Sequence, residues 1–209
     1  MCLVPGTRSA PWALRVAAIV PAVTFGWLLS QSRSVLDGDT PTVDIEWIPQ
    51  IALSISLRLD GFGWLMGLIV SGIGLLVLLY SSAYFGRRDD LGRLAGLLVG
   101  FAGAMLGIVW ADGLLTLFVF WELTSITSFL LIGFDDTNPT ARAAATRAFL
   151  VTGAGGLAML AGFIILTVVG DATTISELAA DPPTGTLTSV ALVLVLFGAF
   201  TKSAQFPFH

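Results

Sequence analysis

The chain has 209 residues, 56% of them hydrophobic and only 11% charged, with a mean hydropathy of +0.90 and a net charge of −4 that is strongly segregated along its length. Soluble domains carry roughly 25% charged residues, so the composition is that of an integral membrane protein, and no basic patch suggests nucleic acid. Cys2 is the only cysteine and His209 the only histidine, which excludes an intrachain disulfide and the Cys/His metal clusters of familiar spacing.

Six stretches are long enough to cross about 30 Å of hydrocarbon at about 1.5 Å per residue. The first, Trp12–Ser30, has Arg8 and Arg15 at its start and an acidic stretch after it, with Asp37, Asp39, Asp44 and Glu46. Next, Ile51, Leu53, Ile55, Leu57 and Leu59 alternate with Ala52, Ser54, Ser56, Arg58 and Asp60. A period of two predicts a half-buried strand, one arm of a hairpin capping the helices. The second span, Phe62–Phe85, runs into Arg87, Arg88 and Arg93. Only Ala111-Asp112-Gly113 separates the third, Leu94–Trp110, from the fourth, Leu114–Phe134, which predicts a tight antiparallel pair with Asp112 as a turn or cap residue. Asn138-Pro139-Thr140 fails as a glycosylation site because its middle residue is proline.

The fifth span, Arg147–Val169, contains Gly153-Ala154-Gly155-Gly156, which lies inside the span with no preceding strand and is therefore no phosphate loop. The sixth, Leu187–Ala204, runs into Gln205-Phe206-Pro207-Phe208-His209, where the proline predicts a helix broken at membrane depth and an end that reads as that of a fragment. Residues 1–61 thus form a first helix and an acidic loop with a strand, and residues 62–209 an incomplete membrane domain. Gly92, Gly96, Gly100 and Ala104, like Ala154, Ala158 and Gly162, recur every four residues and predict faces where helices pack closely.

Orientation follows from the arginines. Arg8 and Arg15, then Arg87, Arg88 and Arg93, then Arg142 and Arg147 fall on one side of a six-span layout. The alternate loops hold only Arg33 and Arg58 against a set of acids that ends with Asp171, Glu177 and Asp181. The positive-inside rule then places the N-terminus in the cytoplasm of a multi-pass protein of the cell membrane, with the lipid bilayer as its first partner.

Two charges stand inside apolar spans: Glu122 in the fourth and Lys202 in the sixth. A charged group at the bilayer centre costs at least ~2.5–3.5 kcal/mol, and such groups face a bundle interior or a hydrated path. One acid and one base on separate helices suit a proton or ion pathway. Ser125 stands one helical turn from Glu122, with Thr124, Thr127 and Ser128 nearby, a hydroxyl-rich sector able to hold water and pass protons. A mobile neighbouring charge would load and unload the Glu122 proton, and an amine in such a site can switch between charged and neutral. The competing readings are a Glu122 locked by hydrogen bonds and a Lys202 that snorkels to the interface. Weaker candidates are Arg147, as feeder of a half-channel or as an inner anchor, and His209 as a relay.

At these residues the chain resembles a known family. Phe120-Trp121-Glu122-Leu123-Thr124-Ser125, Ser128-Phe129-Leu130-Leu131-Ile132-Gly133-Phe134 and Thr201-Lys202-Ser203-Ala204-Gln205-Phe206-Pro207-Phe208-His209 are similar to the core and broken-helix motifs of antiporter-like proton-channel subunits. Asp60-Gly61-Phe62 and Ala111-Asp112-Gly113-Leu114-Leu115 also fit. The family comprises the A-type subunit of the Mrp-type multisubunit Na⁺/H⁺ antiporter and its relatives in respiratory complex I, which commonly carry a charged pair where this chain has Gly153–Gly156.

The resemblance implies an all-α polytopic membrane protein with part of an inverted-repeat antiporter fold and a small outer β element. It implies Glu122 and Lys202 as the coupled pair, protons and Na⁺ as cargo, and other antiporter subunits as partners, with no cofactor. Members of the family run far longer, with a second repeat after the broken helix and usually another helix before the first. Two alternatives stand beside this reading: a membrane-arm subunit of an NADH–quinone oxidoreductase whose redox chemistry lies in its partners, and a non-conducting remnant.

Overall fold

The computed structural model describes residues 12–48, 53–85 and 90–208. Cys2, Arg8, Ile51, Ala52, Arg87, Arg88 and His209 lie outside the described residues. In chain order the elements are α1 (Trp12–Ala17), α2 (Ile19–Ser30), α3 (Ser32–Leu36), β1 (Thr42–Ile48), β2 (Leu53–Arg58), α4 (Gly61–Tyr84), α5 (Leu91–Trp110), α6 (Leu114–Ile132), α7 (Pro139–Gly170), α8 (Ile175–Ala180) and α9 (Thr186–Lys202).

Five helical spans are long and apolar enough to cross a membrane, and α9 is a shorter apolar sixth. Large apolar side chains point outward along them, among them Leu76, Leu157, Val168 and Val193. In water such a surface would be an aggregation liability; in a bilayer it faces lipid. The chain is membrane-embedded. The first span is broken at Ala18 into α1 and α2, where Pro21 brings no N–H to the carbonyl four residues back.

Two of the boundary differences from the sequence expectation bear on the site. The fifth span starts at Pro139 instead of Arg147 and is 32 residues long. Asn138 Oδ1 caps it by accepting from the amides of Thr140 at 3.0 Å and Ala141 at 3.4 Å, and Pro139 occupies the first turn, where its missing N–H costs nothing. The sixth stops at Lys202 after 17 residues, about 25 Å at 1.5 Å per residue. Its end is closed by the Gln205 amide donating to the Phe200 carbonyl at 3.0 Å, with Ala204 in the left-handed region at φ 51°. This is the six-to-one closure that ends many helices, here built on alanine where glycine is usual.

The small-residue faces also differ. On α5 the buried positions are Leu91, Ala95, Ala104 and Gly107, while Gly92, Gly96 and Gly100 are exposed. On α7 the buried stripe is Gly155, Gly156, Met159, Gly162, Phe163 and Leu166, and Ala154 is exposed. Of the expected Ala154, Ala158 and Gly162, only Gly162 lies in that stripe. At Gly162 an added Cβ would stand 2.7 Å from the Ala191 carbonyl of α9, and at Gly198 it would stand 2.7 Å from the Gly155 carbonyl. Helices α7 and α9 therefore lie backbone to backbone.

β1 and β2 form the expected hairpin, antiparallel, with Asp44 opposite Ser56 and Ile45 opposite Ile55. The buried contact to the helices is made by Ser56, whose amide donates to Thr116 Oγ1 of α6 at 3.0 Å. The apolar face of β1, with Val43, Ile45 and Trp47, stays about half exposed. At this end of the bundle the Ala111–Gly113 turn is a junction. The amides of Asp112 and Gly113 donate to the Ser56 carbonyl, Leu114 donates to Thr173, and Ile175 donates to Asp112 at 2.7 Å. The Asp112 carboxylate accepts from the Ser176 amide and hydroxyl at 3.0 and 2.6 Å, so Asp112 is a turn and cap residue for α8.

Candidate functional site

Because α9 ends inside the bundle, its last residue is delivered to the middle of α6. Lys202 Nζ donates to Ser125 Oγ at 2.7 Å and to the Trp121 carbonyl at 3.4 Å, and it sits 5.4 Å from the centre of the Trp121 ring. The helix that carries it is held by the glycine contacts between α7 and α9, so the amine arrives on a rigid arm. Ser125 and its neighbour Thr124 are buried.

The Trp121 carbonyl is a polar hub. Thr124 Oγ1 donates to it at 2.7 Å and Ser125 Oγ at 3.3 Å, beside the lysine. Thr127 Oγ1 donates one turn further to Leu123 at 2.7 Å. Hydroxyls returned to carbonyls three or four residues back satisfy polar groups inside an apolar span and leave their oxygen lone pairs free to accept.

Glu122 lies on the same turn of α6 and turns toward α7. Its Oε1 is buried and receives no hydrogen bond among the described residues. The space it fills is the side-chain position of Gly156: a Cβ added there would fall on Glu122 Oε1. In the same way Thr201 of α9 fills the side-chain position of Gly155. Glu122 and Lys202 are thus brought to one turn of α6. They do not touch: among the described residues no hydrogen bond or ion pair joins them.

Sequence reasoning did not single out the Trp121 carbonyl, Thr201, or Gly155 and Gly156 as parts of this site. The run Gly153–Gly156 was the signal available, since a cluster of glycines beside a charged helix leaves room for something. Of the weaker candidates, Arg147 is exposed and lines a shallow groove of about 510 Å³ with Pro139, Arg142, Ala143, Thr146 and Leu150. None of these residues belongs to the Glu122–Lys202 site. Among the described residues no cluster of His, Cys, Asp and Glu is able to hold a metal.

Two family models match the chain. One, described as NADH:quinone oxidoreductase/Mrp antiporter, TM, covers residues 111–209, the whole of the site. The other, NADH-Ubiquinone oxidoreductase (complex I), chain 5 N-terminus, covers residues 47–93. The A1 subunit of the Na(+)/H(+) antiporter of Staphylococcus haemolyticus is 40% identical over 193 residues, 91% of this chain.

The chain belongs to the NADH:quinone oxidoreductase/Mrp antiporter family. A further member, the A/B subunit of a probable K(+)/H(+) antiporter of Rhizobium meliloti, is 47% identical over 168 residues, 79% of this chain and 17% of the relative. The structure of the Mrp complex from Dietzia sp. DQ12-45-1b contains a chain that superimposes with a TM-score of 0.80 at 35% identity over 94% of this chain. The chain spans about a quarter of the Staphylococcus and Dietzia chains, 24% of each.

Proposed function

We propose that this chain forms part of the proton path of a multisubunit monovalent cation/proton antiporter, with Glu122 and Lys202 as its coupling pair. One observation carries the reading: Lys202, at the tip of a helix that stops in mid-bundle, rests on the turn of α6 that carries Glu122. A half-buried acid and base on one turn of a membrane helix, with hydroxyls beside them, can exchange protons with a water chain while a passing cation alters their charge. The pair therefore has the parts of an ion-translocating subunit rather than those of a bond-making enzyme.

The relatives are named as subunits, which supports other antiporter subunits as partners. The basic residues Arg15, Arg93, Arg142 and Arg147 gather at the end away from the hairpin, which supports a cytoplasmic N-terminus and a hairpin facing outward. The cation is Na⁺ on this reading. The 47% relative is named for K⁺, so exchange should be measured with both ions.

The test is ΔpH-driven exchange in everted membrane vesicles carrying Glu122→Ala at normal abundance. The expected result is loss of exchange for both cations, and full exchange would sink the mechanism. A second reading, a membrane-arm subunit of an NADH–quinone oxidoreductase, is favoured by the match of residues 47–93 to a complex I model. Flavin or iron in the purified assembly would support that reading over the first.

A further inference from the structure

Glycines in this bundle serve two kinds of neighbour. At Gly162 and Gly198 the atoms that forbid a side chain include backbone carbonyls, so these glycines let helices approach. Gly156 is different. What occupies its side-chain space is the carboxylate of Glu122: Oε1 overlaps an added Cβ, Cδ lies at 3.1 Å and Oε2 at 3.8 Å. The neighbouring Gly155 is filled by Thr201, the residue before Lys202. Along the same run, Gly153 has nothing within 4 Å of an added Cβ and Ala154 is exposed. Two successive residues of α7 therefore lack side chains at the places where the acid of α6 and the lysine-bearing end of α9 lean on the helix.

We propose that Gly156 is a positioning residue for ion translocation: its bare backbone is a seat that sets where the Glu122 carboxylate stands relative to Lys202. The inference rests on the coupling role of that pair. A side chain at residue 156 displaces the carboxylate, because the atom in the way is the far end of Glu122, and no hydrogen bond among the described residues holds its Oε1 in place. A displacement of about 1 Å at such a pair is enough to lower a transfer rate by orders of magnitude.

The experiment uses a size swap at the chromosomal locus, with exchange read in everted vesicles and abundance by immunoblot. Gly156→Ala is expected to lower exchange about tenfold or more at unchanged abundance. Glu122→Asp withdraws the carboxylate by one methylene and is expected to be impaired alone. The double variant Gly156→Ala/Glu122→Asp refits the shorter acid above the added methyl and should exceed both singles, a rescue that a helix-packing role would not give. Gly153→Ala, on the same helix, should behave as the parent.

Full exchange in Gly156→Ala overturns the proposal, as does a double variant no better than the singles. If Gly156→Ala fails to accumulate, abundance of the double decides: restored, the clash is with Glu122; not restored, the seat is wrong. Glu122→Ala in the same vesicles separates the failures. If it is inactive while Gly156→Ala is normal, only the seat falls; if it exchanges normally, the coupling reading falls first.

Discussion

The lysine amine at the tip of α9 rests on one hydroxyl, Ser125 Oγ at 2.7 Å, and more loosely on the Trp121 carbonyl at 3.4 Å. A hydrogen bond to a charged group contributes about 1.5–3 kcal/mol, and a charge left with a poor acceptor in a water-poor site loses most of that. Ser125→Ala is therefore expected to lower cation exchange by about tenfold or more, on the same energies, while the chain still accumulates. Exchange at parental rates with the hydroxyl gone would show that Lys202 does its work elsewhere. Glu122 and Lys202 were legible in the sequence because charge inside an apolar span is costly enough to be rare. Gly156 and the Trp121 carbonyl were not, since one acts through an absent side chain and the other through the backbone. Only the glycine run Gly153–Gly156 pointed toward the first.

Helix identity was legible from hydrophobic length, but helix ends were set by caps and closures. Asn138 and Pro139 start α7 two turns before the first apolar run, and the Phe200–Gln205 closure stops α9 before its apolar run ends. The short surface helix α8 carried only Ile175 and Leu178 as an apolar signal, and it starts on a capping box, Thr174 with Glu177. The Thr174 hydroxyl, and then the Thr173 and Thr174 amides, hold the exposed Glu177 carboxyl below its usual range. A carboxyl whose folded value lies below its unfolded value, about 4.3, stabilises the fold above that pH and loses the contribution as pH falls through the folded value. Amide exchange across Ile175–Ala180, corrected for intrinsic rates, should accelerate as the pH drops below about 4.3. Glu177→Gln should remove this pH dependence, and an unchanged acid profile in that variant would assign it to another group.

For the molecule as a whole, the alternation of basic and acidic loops predicted which ends lie together, and the helices run accordingly. With one native cysteine, Cys2, replaced, the reading of sidedness is testable by labelling in intact cells. Asp39→Cys, before the hairpin, should react with an impermeant maleimide, whereas Asp136→Cys, in the turn before α7, should react only after permeabilisation. The reverse pattern would invert the protein in the membrane.

What the charge pattern did not reveal is how the hairpin end is tied. The Ala111–Gly113 turn hydrogen-bonds to the strand on one side and to the segment after α7 on the other, largely through main-chain groups that any sequence possesses. That gives the bundle a fulcrum. Glu122 stands eight residues along α6 from Leu114, an arm of about 12 Å, and the far tips of α6 and α7 stand further still. At their far ends α6 and α7 are joined again by the Gly133–Asn138 turn and packed through Phe129 on Phe149 at 5.3 Å, so a tilt at the fulcrum is taken up along the span between the two ties, where the Glu122 carboxylate stands.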